Sequence, residues 1–190
     1  KIWSFRTLTL VNTVFTVETI LNMKIAIMQP YFMPHIGYFQ LINEVDKFIF
    51  YDDVNYIKGG WVNRNYMIIN KEMRRFTIPL KKSSSFKLIK DTYVNWESIE
   101  MKKLIKTFNQ NIKKENPSKD IINTIFDSRP DTISDMSIMS IKLTCEYLGV
   151  NKIFKKSSEI NYSKTDDRVL NIVNICNIEG CNHYINPEGG

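Results

Sequence analysis

The first part of the chain alternates apolar segments with polar connections in a pattern typical of a parallel α/β sheet. Residues 24–28 form a short apolar segment, and the loop that follows contains Pro30 and Pro34. An amphipathic helix is predicted to begin at His35, and a second apolar segment covers residues 47–51. Strand, loop, helix and strand at this spacing form the opening unit of such a sheet. Ligands of these sheets bind at the carboxyl ends of the strands, so the sequence predicts a site there.

The middle of the chain predicts a hairpin and one more strand. Residues 66–69 and 74–80 flank residues 70–73, Asn-Lys-Glu-Met, in the pattern of a β-hairpin. Residues 89–94 are expected to form a further strand.

Four helices are predicted in the second half of the chain. The first has apolar residues at i, i+3, i+4 and i+7, which are Met101, Leu104, Ile105 and Phe108. Others are expected after Pro117, from Thr132 to Gly149 and over residues 166–178. The last is predicted to turn an apolar face inward, formed by Val169, Ile172, Val173 and Cys176. The predicted fold class is α/β, a Rossmann-like parallel sheet with an inserted hairpin and additional helices.

Composition narrows the class of protein. The chain has 190 residues, of which 43% are hydrophobic, enough for one domain with one sizeable core. It contains no run of 18 apolar residues, so no membrane span is expected. The formal charge of +6 comes from scattered lysines without a basic block, which argues against specific nucleic-acid binding. Three cysteines, an odd count in a chain of this length, indicate reduced thiols and a cytoplasmic protein.

The two ends of the chain differ from the rest. Residues 1–22 form an irregular Thr- and Val-rich lead, and we expect the native start at Met23, with the lead non-native or upstream. The α/β domain is therefore expected over residues 23–190. The chain stops in the loop Asn-Pro-Glu-Gly-Gly, so we expect this domain to be truncated at its carboxyl end.

The start of the first predicted helix is the strongest candidate site. His35 can donate to a phosphate oxygen, Gly37 lets a nucleotide approach the backbone, and Tyr38 adds a neutral donor. Gln29 and Pro30 end the preceding strand, and the Gln29 amide can both donate and accept. The alternatives are a surface histidine, a packing glycine and an ordinary strand-ending turn.

Two acidic residues follow the second predicted strand. Asp52 or Asp53 can hold Mg²⁺ or a sugar hydroxyl, and two adjacent carboxylates can raise one pKa for proton transfer. Neighbouring strand residues face opposite ways, so at most one is expected to point into a cleft. The alternative is a solvated pair in a turn.

Basic residues in the following loops are candidates for neutralising phosphate charge. Arg64 and Lys82 are expected to offset charge that develops during phosphoryl chemistry, and Lys58 to bind substrate. Trp61 can stack on a base or a sugar, and Asn63 lies beside Arg64. Solvated lysines and a core-covering tryptophan are the alternatives.

Cys176, Cys181 and His183 suggest a metal site, but their spacing lacks a second pair of ligands. Cys176 also falls on the apolar face of its predicted helix, so core packing is the better interpretation. No metal ligand is assigned.

Several long motifs, in order, give the chain a family resemblance. They are MKIAIMQPYFMPHIGYFQLIN from Met23, FIFYDDV, GWVNRN, IPLKK and the final YINPEGG. These motifs closely resemble the WbqC-like family, over residues 23–190. The resemblance implies a link to bacterial surface-polysaccharide gene clusters of the O-antigen type. It also places the residues of the last loop, Asn186, Gly189 and Gly190, among the expected binding residues.

A second resemblance concerns mechanism. A strand, a Pro-containing loop and His-x-Gly-x at a helix start are similar to the His-x-Gly-His nucleotidylyltransferases, whose two histidines stabilise charge on the α-phosphate. His35 and Gly37 match this signature, whereas Tyr38 replaces the second histidine. A lysine or arginine would then have to supply the charge. This resemblance rests on fold logic as much as on residues.

Together, these observations predict a cytoplasmic, nucleotide-binding transferase or ligase of surface-polysaccharide biosynthesis. It is expected to act on an amino-sugar or acyl precursor with ATP or another nucleotide and Mg²⁺. The alternative is a non-catalytic glycan-precursor binding or assembly protein of the same pathway.

Overall fold

The computed structural model describes residues 23–186, and its strands form two separate sheets. The strands are β1 (Lys24–Met28), β2 (Lys47–Phe50), β3 (Arg64–Ile69), β4 (Glu72–Thr77), β5 (Ile153–Lys156) and β6 (His183–Tyr184). The helices are α1 (Ile36–Glu44), α2 (Ile99–Asn111), α3 (Ser118–Ser128), α4 (Ile133–Tyr147) and α5 (Arg168–Ile178).

The main sheet has the strand order β5-β2-β1-β6, and all three pairings are parallel. Both faces of this sheet are covered, which explains why β1 and β2 read as continuous apolar runs. Ala26 and Phe48 lie in a cluster with α1 and α4 on one face. Ile25 and Ile49 pack with α5 on the other. The predicted Rossmann-like α/β class is confirmed.

The hairpin β3–β4 is inserted between β2 and the helices, as predicted. Its strands pair antiparallel from Arg64 opposite Thr77 to Ile69 opposite Glu72. The two turn residues, Asn70 and Lys71, both have positive φ angles, which gives the backbone twist that two-residue hairpins require. A third cluster of buried side chains joins the hairpin to α2, α3 and α4.

One prediction of local structure was wrong and another was partly wrong. Residues 89–94 form a short 3₁₀ turn (Ile89–Asp91) with isolated bridges at residues 93 and 94, because their backbone donors reach loop carbonyls. The predicted inward face of α5 was correct for Cys176 and for Ile172, which packs against the core, but wrong for Val169 and Val173, which are 70% and 45% exposed. The buried residues of this helix are Asn171, Ile175 and Cys176. The Asn171 amide turns this face inward, since its Nδ2 donates to the carbonyl of Thr165 (2.8 Å).

Other local predictions were confirmed. The Thr132 hydroxyl caps α4 by accepting from the backbone N–H of Asp135 (3.1 Å), as the capping-box pattern indicated. Gly149, with φ +68°, ends the same helix. No helix within residues 23–186 is long and apolar enough to cross a membrane.

Candidate functional site

The strand order defines one position in the main sheet where ligands are expected. The chain leaves β1 towards β2 and β5, and then returns to the other side of β1 to form β6. The point between β1 and β6 is thus the topological switch point, and its carboxyl edge is where open α/β sheets bind ligands. Gln29 follows β1 at this edge, and Asn186 follows β6.

The loop between β1 and α1 is fixed from two sides. The backbone N–H of Phe32 donates to Val62 O (3.0 Å), and its ring is fully buried. Met33, with φ +51°, donates its N–H to Ser140 Oγ (3.2 Å) and accepts from the Asn65 amide. The loop is therefore held rigidly beside the switch point.

The His35-x-Gly37 motif has a local structural explanation. His35 is the N-cap of α1, and its Nδ1 accepts from the backbone N–H of Gly37 at 3.1 Å. A Cβ on Gly37 would lie 2.8 Å from His35 Cε1, so the imidazole needs a glycine beneath it. The ring is exposed, and with Nδ1 accepting, Nε2 carries the proton of the neutral ring. A phosphate-binding role for His35 and Gly37 stays a prediction.

Tyr38 does not lie where the phosphate-donor prediction required. Its side chain is 3% exposed and packs against Phe48, with ring centroids 5.3 Å apart. Its hydroxyl donates to the carbonyl of Gln29 (3.0 Å), and burial raises its pKa well above the usual value. This phenol therefore ties α1 to the end of β1 from inside the core. The apolar face of α1 carries it inward together with Phe39 and Ile42.

Asp52 is enclosed by hydroxyl and backbone donors. It is 1% exposed and follows β2 at the carboxyl edge. Ser158 donates to it through both its backbone N–H (3.1 Å) and its hydroxyl (2.9 Å). The Ser134 hydroxyl (3.4 Å) completes the set, and Ser157 Oγ accepts from the backbone N–H of Asp52 (3.2 Å). The alternative of a solvated acidic pair is wrong for this residue.

Asp53 faces the other side of the sheet and meets a different set of donors. It is 7% exposed and accepts from Tyr162 OH (2.7 Å), Lys164 Nζ (3.3 Å) and the Ser157 hydroxyl. Lys164 also donates to the backbone carbonyl of Asp53. Asp52 and Asp53 thus diverge as strand alternation predicted, but both are buried and hydrogen-bonded.

The environment of Asp53 sets the charges in this cluster. Burial alone would raise its pKa, but hydrogen bonds from Ser157 and Tyr162 and the charge of Lys164 hold the pKa below its usual value. Burial and the bond to Asp53 raise the pKa of Tyr162, which stays neutral and donates. Burial likewise raises the pKa of Tyr51, whose hydroxyl has no partner within the described residues.

The loop of residues 58–64 separates into structural and exposed positions. Asn63 is buried, accepting from Tyr56 OH (2.8 Å) and donating to Ile78 O (2.8 Å), so its amide supports the loop. Trp61 is 52% exposed and Lys58 is also exposed. The buried Nε of Arg64 has no hydrogen-bond partner among the described residues. Trp61, Lys58 and Arg64 stay available for the roles predicted for them.

Three further predicted positions, Pro30, Lys82 and Asn186, lie within the described residues. Pro30 is buried directly after Gln29, while Lys82 and Asn186 are exposed. No ion pair involving Lys82 is found in the described part of the chain. Gly189 and Gly190 lie outside the described residues.

Sequence reasoning missed the partners of the two aspartates, which are Ser134, Ser157, Ser158, Tyr162 and Lys164. The sequence contained a signal for two of them, Ser157 and Ser158. The serines at 157 and 158 directly follow β5, whose carboxyl end lies beside that of β2 in a parallel sheet.

Metal binding by these side chains has little support. Over residues 23–186, no three His, Cys, Asp or Glu residues group closely enough to hold an ion. Ser158, through two groups, and Ser134 occupy most of the acceptor capacity of Asp52, so it does not fit a Mg²⁺ ligand. Cys176 packs in the core with Ile25 and Ile27, which confirms the packing interpretation.

Fold and edge geometry define a Rossmann-like α/β protein with a rigid first loop at its switch point. The sequence profile of the WbqC-like protein family matches residues 29–190, and the chain belongs to this family. An uncharacterized protein from Mycobacterium tuberculosis (Rv1507c) is 24% identical over 166 residues, covering 85% of this chain and 71% of its own length. No solved structure matches the chain.

Proposed function

We propose that this WbqC-like protein binds a nucleotide or a nucleotide-activated sugar at the carboxyl edge of its sheet. The single observation that carries the proposal is the switch point between β1 and β6, beside which the β1–α1 loop is held rigidly. The activity that best fits this position is that of a cytoplasmic transferase or ligase in surface-polysaccharide biosynthesis. An amino-sugar or acyl precursor is its acceptor, a role that the family resemblance supports.

We assign the following roles to the predicted binding residues. The Gln29 amide and the exposed His35 imidazole bind the nucleotide, and Gly37 contributes by leaving room for that imidazole. Arg64 and Lys82 offset negative charge on the phosphates. Lys164, half-exposed and anchored on Asp53, adds a fixed cation at the same edge. Mg²⁺ is coordinated by the nucleotide phosphates, because the carboxylates of Asp52 and Asp53 already accept hydrogen bonds from the protein.

Calorimetric titration of the protein with ATP, CTP and nucleotide sugars tests the proposal. We expect saturable binding of at least one of them, and we expect Gln29→Ala to weaken that binding about tenfold. The matched control is Gln40→Ala, an exposed glutamine on α1. No binding of any of these compounds by folded protein, or equal loss in both variants, would contradict the proposal.

A pair of variants separates the two roles of His35. Asn is a good helix N-cap, so His35→Asn keeps the cap and removes the imidazole, whereas His35→Ala removes both. If the imidazole contacts phosphate, the two variants lose nucleotide affinity equally. If His35 only caps α1, His35→Asn binds as the parent protein does.

One observation favours a non-catalytic glycan-precursor binding or assembly protein as the second candidate. The residue at the position of the second histidine in the similar enzymes is Tyr38, which is buried and already hydrogen-bonded. Incubation with ATP and candidate amino-sugar or acyl acceptors decides between the two. Release of AMP or pyrophosphate that depends on the acceptor supports the enzyme, and binding without turnover supports the second candidate.

A further inference from the structure

Two neighbouring turns, in the loops after β2 and β4, carry exposed apolar side chains. Phe86 is 92% exposed, the highest value for a large apolar side chain within the described residues, and Ile57 is 50% exposed. The two segments pair antiparallel, and the backbone N–H of Tyr56 donates to Lys87 O (2.8 Å). In such a pairing, the residue after Tyr56 and the residue before Lys87 lie at the same end. Ile57 and Phe86 are therefore neighbours.

Each of the two turns is closed by its own hydrogen bonds. The backbone N–H of Gly60 donates to Ile57 O (2.9 Å) in the first turn. In the second turn, Ser84 O accepts from the backbone N–H of Lys87 (3.1 Å), and Ser84 Oγ accepts from that of Phe86 (3.2 Å). The two apolar side chains are thus carried at the tips of hydrogen-bonded turns, which present them to the surroundings of the protein.

The chain segments that carry the two tips are basic. Residues 54–71 and 73–90 contain no aspartate or glutamate. Lys58 and Lys87 adjoin the tips in sequence, and Lys81 lies a few positions before the second turn. None of these three lysines forms an ion pair within the described part of the chain. Cations beside exposed apolar side chains complement a surface that is anionic outside and apolar inside.

We propose that the two tips, Ile57 and Phe86, and the lysines beside them form a surface that binds a membrane containing anionic lipids. The apolar side chains insert at the level of the headgroups, and the ammonium groups lie against the lipid phosphates. Burial of the two apolar side chains supplies the hydrophobic part of the affinity, and each lysine near the membrane adds electrostatic attraction. This surface uses none of the residues assigned to nucleotide binding.

The shape and the chemistry of the tips favour lipid over a macromolecular partner. A stable protein partner covers about 800 Å² on each side, far more than two protruding side chains offer. Single-stranded nucleic acid binds by stacking its bases on aromatic rings, and the aliphatic side chain of Ile57 cannot stack. A fluid headgroup layer, in contrast, closes around protruding side chains of either kind.

Sedimentation of the protein with lipid vesicles tests this surface. We expect saturable binding to vesicles made of equal parts phosphatidylcholine and phosphatidylglycerol. Binding to vesicles of phosphatidylcholine alone is expected to be at least about tenfold weaker, because the lysines then meet no net negative charge. Ile57→Ala combined with Phe86→Ala should weaken binding to the mixed vesicles about tenfold or more, because both inserted side chains are lost.

The matched control is Tyr147→Ala combined with Ile153→Ala, which removes two exposed apolar side chains from the end of α4 and the start of β5. It is expected to bind the mixed vesicles as the parent does. Equal binding by the two double variants, both shown to be folded by circular dichroism, would overturn the proposal. Equal binding of the parent to both kinds of vesicle would also overturn it.

Absence of saturable binding to the mixed vesicles would overturn the proposal as well. Single-stranded oligouridine and the parent protein are then the next pair to measure. Binding of the oligonucleotide that is lost in the variant with Ile57→Ala and Phe86→Ala would assign the tips to nucleic acid instead of lipid.

Discussion

The two edges of the parallel sheet bury charge in different ways. At the amino edge, Lys47 and Glu179 are 8% and 9% exposed and form an ion pair of 2.8 Å, which Lys155 joins at 2.9 Å. At the carboxyl edge, the buried carboxylates of Asp52 and Asp53 meet mainly hydroxyl groups. At the amino edge, opposite charges neutralise each other. At the carboxyl edge, neutral donors and one half-exposed lysine form the hydrogen bonds to the two carboxylates.

This difference separates a structural site from a candidate functional one. Glu179 follows α5, and Lys47 begins β2, so their pair fastens that helix to the amino end of the sheet. The aspartate cluster links the strand ends next to the switch point, where a ligand is expected. Variants of the amino edge should therefore change stability alone, and variants of the carboxyl edge should also change nucleotide binding.

The largest effect is expected at the amino edge. Glu179→Ala leaves the buried ammonium of Lys47 without its partner and should lower the free energy of unfolding by about 3–5 kcal/mol. Urea denaturation measures the change. Glu115→Ala, at an exposed position, should stay within about 0.5 kcal/mol of the parent. A loss at Glu179 no larger than at Glu115 would show that the ion pair does not hold this edge.

Asp52 is expected to have the next largest effect. Asp52→Ala removes the acceptor for Ser134 and Ser158 and should cost about 3 kcal/mol by urea denaturation. Asp52→Asn should cost about 1 kcal/mol, because serine hydroxyls can reverse and accept from the new amide. Asp127→Ala, which is exposed, is the control. Equal losses in the two Asp52 variants would mean that the charge, rather than the hydrogen bonds, matters.

Asp53 should make stability depend on pH. Its pKa in the folded protein lies below the unfolded value of about 3.9, so its stabilisation is fully present above that value. The stabilisation disappears as pH falls through the lower, folded pKa. The difference in free energy of unfolding between the parent and Asp53→Asn should therefore shrink from pH 7 to pH 3. A constant difference would contradict the assignment of the charge to Asp53.

The smallest effect is expected at the start of α1. His35→Ala removes the N-cap and should cost on the order of 0.5–1 kcal/mol, and His35→Asn should restore that loss. Thermal denaturation of both variants measures it. Equal destabilisation by Asn and Ala would show that the bond from Gly37 N–H to His35 Nδ1 does not stabilise the helix.

Periodicity predicted the parts of the fold that depend on neighbouring residues. The two central strands, α1, the hairpin and the cap of α4 all follow from patterns within a few residues. The surroundings of Asp52 do not, because Ser134, Ser157 and Ser158 lie 82 to 106 positions away. The predicted position of the Tyr38 side chain was wrong for a related reason. The His-x-Gly spacing indicates a phosphate site, but Tyr38 lies on the apolar face of α1, which turns its ring into the core.

The most direct test of the central claim is where a bound nucleotide lies on the sheet. A ¹H–¹⁵N NMR titration with ATP, CTP and a nucleotide sugar locates the affected amides. At least one ligand should give saturable shifts concentrated at residues 29–37 and 157–158, at the carboxyl edge. No saturable shift with any of them, or shifts concentrated around Glu179 at the amino edge, would contradict the account.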